Sequence, residues 1–217
     1  MITASGDRAA PAKSFPDPAE LPAGQLQRRE KIVDAAAELL DRTEYQDIQI
    51  RDVCRQAGVA LGTLYRYFSS KEHLYAAVLV RWGSAFRAVP PSTASGSRRD
   101  ADSLKASLKR AIRAFEKKRH YVRTEMVLRA SADPEVLRLF NQFGDHNLAV
   151  FSSPIDGLSP EASREVAAVA GMVLRDALHR WISGRCTIKQ VEDETARTVD
   201  LLVRGARAAA APPVARR

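Results

Sequence analysis

Between Arg51 and Lys71 the chain gathers side chains suited to holding a polyanion. Arg51, Thr63, Tyr65, Arg66, Tyr67 and Lys71 all carry hydrogen-bond donors, and from Ala60 to Lys71 there are two cations and no acid. Guanidinium and ammonium groups neutralise phosphates, and short donors on one helix face can also address base edges in a DNA groove. Leu61 and Gly62 open the same stretch and belong to the same candidate set. Catalytic spacings are missing by contrast. His73, His120, His146 and His179 form no H-E-x-x-H pair, and there is no Walker loop, G-x-G-x-x-G, G-x-S-x-G or E-x-x-H pair. The expectation is a binding protein with no catalytic residue, no metal site and no cofactor.

Such donors act only if a scaffold aims them. Val53, Ala57, Val59, Leu64 and Tyr67 are apolar or aromatic at spacings of 4, 2, 5 and 3. Two short helices crossing at a steep angle need one such stripe each, meeting at the corner. Gly58 lies between them and supplies the positive φ that a sharp helix-to-helix turn demands. Cys54 is small enough to let the second helix approach. The layout is that of a helix-turn-helix, which lays its second helix in the DNA major groove, with Gly62, Thr63, Tyr65 and Arg66 projecting outward. The same corner also fits an ordinary helical hairpin, so the flanks decide.

The flanks favour a DNA reader. A helix carrying Ile32, Ala35, Ala36 and Leu39, then Tyr45, then IRDVCRQAGVALGTLYRYFSSKEHLYAAV, resembles the N-terminal domain of the TetR family of transcriptional repressors over roughly Gln27 to Leu79. The GTLYRYFSSKEHL segment and AVAGMVLRDALHRWISG near the end are similar to actinobacterial repressors of sterol catabolism. The resemblance implies that GTLYRYF is the recognition helix and that Ser-Lys-Glu opens a fourth helix. It places Thr63, Tyr65 and Arg66 at or near the bases, and Tyr67 and Lys71 on backbone phosphates. It also brings in Arg28 and Arg29, ahead of the first helix, as phosphate or minor-groove contacts; a solvated helix start is the alternative. Two positions depart from the family: Gln49 stands where Thr commonly caps the second helix, and Ala60 where Ser commonly precedes the recognition helix. Each loss removes a cap worth about 0.5–2 kcal/mol elsewhere.

Composition agrees with a helical, nucleic-acid-seeking protein only in part. The 217 residues are 45% hydrophobic, enough for a packed core, and the net charge is +8. From Leu26 to Tyr75, however, eight Lys/Arg meet eight Asp/Glu, a net of zero, and about +7 lies after Val89. Total charge therefore carries no argument for DNA. Cys54 and Cys186 lie far apart without a disulfide framework, as in a reducing cytoplasm. The first 25 residues lack the apolar core of a signal peptide, and the apolar run Val166 to Leu174 is far below the ~20 residues that span a bilayer. The expected location is the cytoplasm, with no membrane partner.

The expected fold is all-α, with about nine helices: an N-terminal three-helix helix-turn-helix domain and a C-terminal helical ligand-binding and dimerisation domain. Residues 1–25 read as a disordered arm, 26–75 as the DNA-binding domain, 76–211 as the regulatory domain and 212–217 as a tail, with a loop at Pro90–Gly96. Helices are expected from about Gln27 to Arg42, from Ser69 or Ser70 to about Val89, and over Asp102–Lys118, Tyr121–Ser131 and Asp133–Val150. Two more follow, from Ser159 to Ile182 and from Thr187 to Ala209. Ser69 and Glu72 have capping-box spacing. The last two helices carry Val166, Ala170, Leu174, Leu178, Val191, Val199 and Val203, stripes that suit a four-helix bundle with a two-fold mate or the chain's own core. The family resemblance implies an effector pocket between the fifth and eighth helices. Phe115, Met126, Phe140, Phe143 and Met172 are its candidate lining, with plain core as the alternative. The cations Arg110, Arg113, Lys117, Lys118, Arg119 and Arg123 suit an anionic part of an effector or a solvated basic face. The functional expectation is a homodimeric repressor. It leaves a palindromic double-stranded operator when a small apolar effector (lipid, steroid or acyl-CoA-like) moves the fourth helix. The rival readings are a protein-binding helical scaffold and a helical-bundle enzyme.

Overall fold

The computed structural model of the chain describes residue 15 and residues 17–85, 101–151 and 155–210. Among these residues there are nine α-helices and no strand: α1 Ala23–Leu40, α2 Ile50–Ala57, α3 Leu61–Tyr67, α4 Lys71–Ala85, α5 Ala101–Lys117, α6 Arg119–Arg129, α7 Pro134–Phe151, α8 Pro160–Ile182 and α9 Ile188–Ala210. The all-α expectation is met. The expected loop at Pro90–Gly96 and the tail at 212–217 lie outside the described residues.

Most helix limits follow local chemistry. Ser159 caps α8 by accepting from the Ala162 amide at 3.1 Å, and Thr187 does the same for α9 from Gln190 at 3.2 Å. Asp133 Oδ1 caps α7 through the Glu135 amide at 2.9 Å. Neither Gln49 nor Ala60 makes a side-chain cap, so α2 and α3 begin without one. Two limits differ from expectation, and one expected capping pair does not form. The expected arm is structured from Asp17: Pro18–Glu20 form a 3-10 turn and α1 starts at Ala23, four residues before Gln27. The sixth helix starts at Arg119 and ends at Arg129. At α4 the cap is Ser70, whose Oγ accepts from the His73 amide at 2.9 Å. Glu72 turns away from Ser69 to accept from the Ser131 hydroxyl, so the capping box does not form.

Two cores hold these helices. The first joins α1–α4: Ile32, Val33, Ala36, Leu40, Val53, Leu64 and Phe68 are buried, and Tyr121, Leu128 and Val136 close it from α6 and α7. Each fully buried Leu, Ile or Phe here stabilises by about 1.5–3 kcal/mol. α4 is the axle of this core: His73 to Leu79 are buried without a break, through every face of the helix. The second core packs α5 and α9 against α8, with Leu108, Ile112, Ala170, Leu174, Trp181, Val199 and Val203 at its centre. The axle spans both halves of the molecule, so α1, α2 and α3 are anchored in a core that α6 and α7 help to close.

Candidate nucleic-acid interface

The corner between α2 and α3 is built as a left-handed joint. Gly58 adopts φ 65 and ψ 37, and the Val59 amide donates back to the Cys54 carbonyl at 3.0 Å. A side chain at this φ would be strained by about 1–2 kcal/mol. Val53 and Cys54 of α2 face Leu64 of α3 in the buried contact. With Leu64 at 0% and Tyr67 at 6% exposure fixing one side of α3, the 3.6-residue period sends Leu61, Gly62, Tyr65 and Arg66 to the other. Leu61 is 40% exposed and Tyr65 42%, Gly62 and Arg66 are open, and Thr63 is half-buried at the edge. Arg51 on α2 and Arg28 on α1 are exposed as well.

Two of the expected contacts are also built into the body of the domain. Tyr67 packs its ring into the first core and so supports the corner. The Lys71 ammonium donates to the Tyr45 carbonyl at 2.5 Å and lies 4.3 Å from the Tyr45 ring centre. Burial disfavours its charged form and holds its pKa below the ordinary lysine value, against the pull of Asp47. Lys71 thus ties the start of α4 to the 3-10 turn at Tyr45–Asp47. A sequence pattern registers both side chains as donors but does not show which way a short helix is rolled.

Most acids of α1, α2 and the turn between them are paired. Glu30 and Asp34 pair with Arg81 at 3.2 and 2.7 Å, and Arg29 with Glu30 at 2.9 Å. Glu38 accepts from Gln56 at 2.5 Å, and Asp52 pairs with Arg55 at 2.9 Å. Asp41 takes the Lys118 ammonium at 2.5 Å, while Glu44 meets Arg123 and lies 3.2 Å from His120 Nδ1. Among the described residues Arg28, Arg51 and Arg66 have no ion-pair partner. A module neutral by count therefore leaves several cations unpaired, and one of them, Arg66, stands on the exposed face of α3.

Those pairs also locate the residues of the basic cluster and of the candidate lining. Lys118 and Arg123, read as part of one basic cluster, bind the α1–α2 corner across the molecule; Arg119 instead covers Trp181, 4.8 Å from its ring centre, and Arg113 stands 3.9 Å from Glu192. The cluster does not converge on one anion. Of the candidate lining, Phe115 stacks edge-on against Trp82 at 4.9 Å, and Phe140 lies under Arg129 at 5.5 Å. Phe143 fills a notch at Gly83, where a Cβ would lie 2.2 Å from its Cζ. Met126 is half-buried. Met172 is a correction: at 53% exposure it points outward from α8, on the face it shares with Arg175 and Asp176. A cavity of about 190 Å³ lies elsewhere, between α5 and α9, lined by Leu108, Ile112 and Thr195 among others, and none of the five candidates borders it. It is below the ~300 Å³ at which ligand pockets usually begin. No helix among the described residues is long and apolar enough to cross a membrane.

Known proteins resemble this one in sequence and in shape. The model of the tetR family of bacterial regulatory proteins matches residues 32–78. The HTH-type transcriptional repressor KstR of Rhodococcus jostii (strain RHA1) is 31% identical over 188 residues, covering 82% of this chain and 84% of that one. A TetR transcriptional regulator from Rhodococcus sp. RHA1 superposes with a TM-score of 0.67 at 24% identity, over 83% of this chain and 97% of that chain. The regulator FadR from Bacillus subtilis, solved in complex with stearoyl-CoA, shares the fold with a TM-score of 0.57 at 17% identity, over 81% of this chain and 98% of that chain. With the exposed recognition face and the two-core helical body already in place, the match over most of both chains makes this protein a member of the tetR family of bacterial regulatory proteins.

Proposed function

We propose that this protein is a ligand-responsive, DNA-binding transcriptional repressor that acts as a homodimer on a palindromic operator. The observation that carries the reading is the outward face of α3: Leu61, Gly62, Tyr65 and Arg66 with Thr63 at its edge; Arg28 on α1 and Arg51 on α2 are exposed and unpaired as well. Tyr65, Thr63 and Arg66 read base edges, and Arg28 and Arg51 hold phosphates. Tyr67 and Lys71 serve from behind, as the packing and the tether that aim α3. One seven-residue helix reads only a few base pairs, so a two-fold mate supplies the second half-site about one DNA turn, ~34 Å, away. Met172 on α8 and Leu201 on α9, 53% and 62% exposed, suit that pairing.

The effector is a small apolar molecule of lipid, steroid or acyl-CoA-like character. The support is the half-buried pair Phe115 and Phe143, set against Trp82 and Gly83 at the far end of α4, together with the stearoyl-CoA held by the structural neighbour FadR in its solved structure. Binding must favour one orientation of the reading heads over another, because equal affinity for both shifts nothing. The test is a gel-shift titration of the purified protein on duplex from its own promoter region, with stearoyl-CoA as the first effector probe. A retarded band that weakens steeply with salt is expected. No retardation of any neighbouring intergenic duplex at low salt refutes the proposal.

A further inference from the structure

The link from the recognition helix to α4 is three residues, Phe68, Ser69 and Ser70, and its hydroxyls are gripped from the other half of the molecule. Ser70 Oγ donates to Asp133 Oδ2 at 2.5 Å and Ser69 Oγ to the same oxygen at 3.1 Å. The other oxygen of Asp133 caps α7 through the Glu135 amide. Ser70 is equally bifunctional, since its Oγ also receives the His73 amide that caps α4. A second bond runs alongside, from the Ser131 hydroxyl to Glu72. One carboxylate thus joins the first turn of α7 to the first turn of α4, over 63 residues of sequence. Hydrogen bonds to an ionised carboxylate are short and directional, so such a joint transmits displacement rather than absorbing it.

We propose that Asp133 is a positioning residue for DNA reading: through the Ser69–Ser70 link it makes the α6–α7 turn set the direction in which α3 is aimed. The proposal rests on the repressor reading above. It differs from a role in stability alone, because a joint of this kind changes discrimination between DNA sequences, whereas a weaker fold lowers binding to all of them.

Ser and Asp are both strong helix caps, which permits an exchange test on the full-length protein. Ser70→Asp keeps a cap on α4 but sets carboxylate against carboxylate. Asp133→Ser keeps a cap on α7 but removes the acceptor. The double exchange restores one hydroxyl and one carboxylate with roles reversed. Fluorescence anisotropy gives the ratio of affinities for the promoter duplex and a shuffled duplex; hydrogen exchange at residues 131–137 is followed with and without promoter duplex. The expected result is a ratio reduced roughly tenfold in Ser70→Asp, with shuffled duplex bound as before, and recovered in the double exchange. Duplex should slow exchange in the α6–α7 turn of the native protein and the double exchange, and leave that turn unaffected in Ser70→Asp. A native protein that prefers its promoter while every variant keeps the same ratio overturns the latch alone, as does a double exchange no better than the single. A native protein without any preference overturns the repressor reading and the latch with it.

Discussion

Acidification should loosen the reading head through one residue, His73. Its ring is 3% exposed, between Phe15 and Phe68, each edge-on at 5.3 Å, and Nδ1 accepts the Ser69 amide at 3.1 Å. Burial is the main cause of a pKa lowered from 6.5 to about 4; Glu135 and Asp133 pull the other way but do not offset it. The unfolded chain therefore binds a proton below pH 6.5 that the folded chain refuses until about pH 4, so stability falls as pH falls through that window. One pKa unit corresponds to about 1.4 kcal/mol, and the loss between pH 7 and pH 5 comes to about 2 kcal/mol. Urea denaturation at pH 7, 6 and 5, followed by tryptophan fluorescence, measures it, since Trp82 packs against the first core. His73→Asn is the reference: its amide oxygen can still accept from Ser69 while the titration is gone, and all other carboxylates and histidines cancel in the difference. Equal pH slopes for the two proteins would refute the reasoning. A slope of the opposite sign would mean that His73 is charged in the folded state.

The remaining expectations concern the notch and the interface. Gly83→Ala forces the Phe143 ring to move, since 2.2 Å is far inside contact distance. A net destabilisation of about 1–2 kcal/mol in urea is expected, after allowing up to about 1 kcal/mol for the better helix former, and Phe143→Leu in the same chain should recover most of it. Tyr65→Ala should remove preference for promoter over shuffled duplex. Arg51→Ala should weaken both alike and reduce the log-affinity versus log-salt slope by about 1. The opposite pattern would exchange their roles.

The corner was legible because its determinants are local. Gly58 and the apolar residues around it specify a turn and two stripes within 15 residues, and tertiary contacts only complete them. Asp133 was half legible: Asp-Pro announces a helix start, but the second carboxylate oxygen finds its partners at Ser69 and Ser70, far back in the chain. Lys118 and Arg123 look alike as a cationic run, and only the fold brings Asp41 and Glu44 to them across 77 and 79 residues. Lys71 shows the same limit in miniature, since a lysine beside a recognition helix reads as a phosphate ligand until Tyr45 is seen underneath it. Met172 stands off the apolar stripe of α8, on a face it shares with Glu165, Arg175 and Asp176, so the spacing itself pointed it outward and only its residue type suggested a lining role.

From His73 to Leu79, α4 meets protein on every side. A rod clamped all round cannot swivel within its sleeve without tearing the sleeve. On the proposed effector response, a push at its far end, where Gly83 receives Phe143, is therefore expected to carry α1, α2 and α3 along as cargo, with the Gly58 corner undeformed.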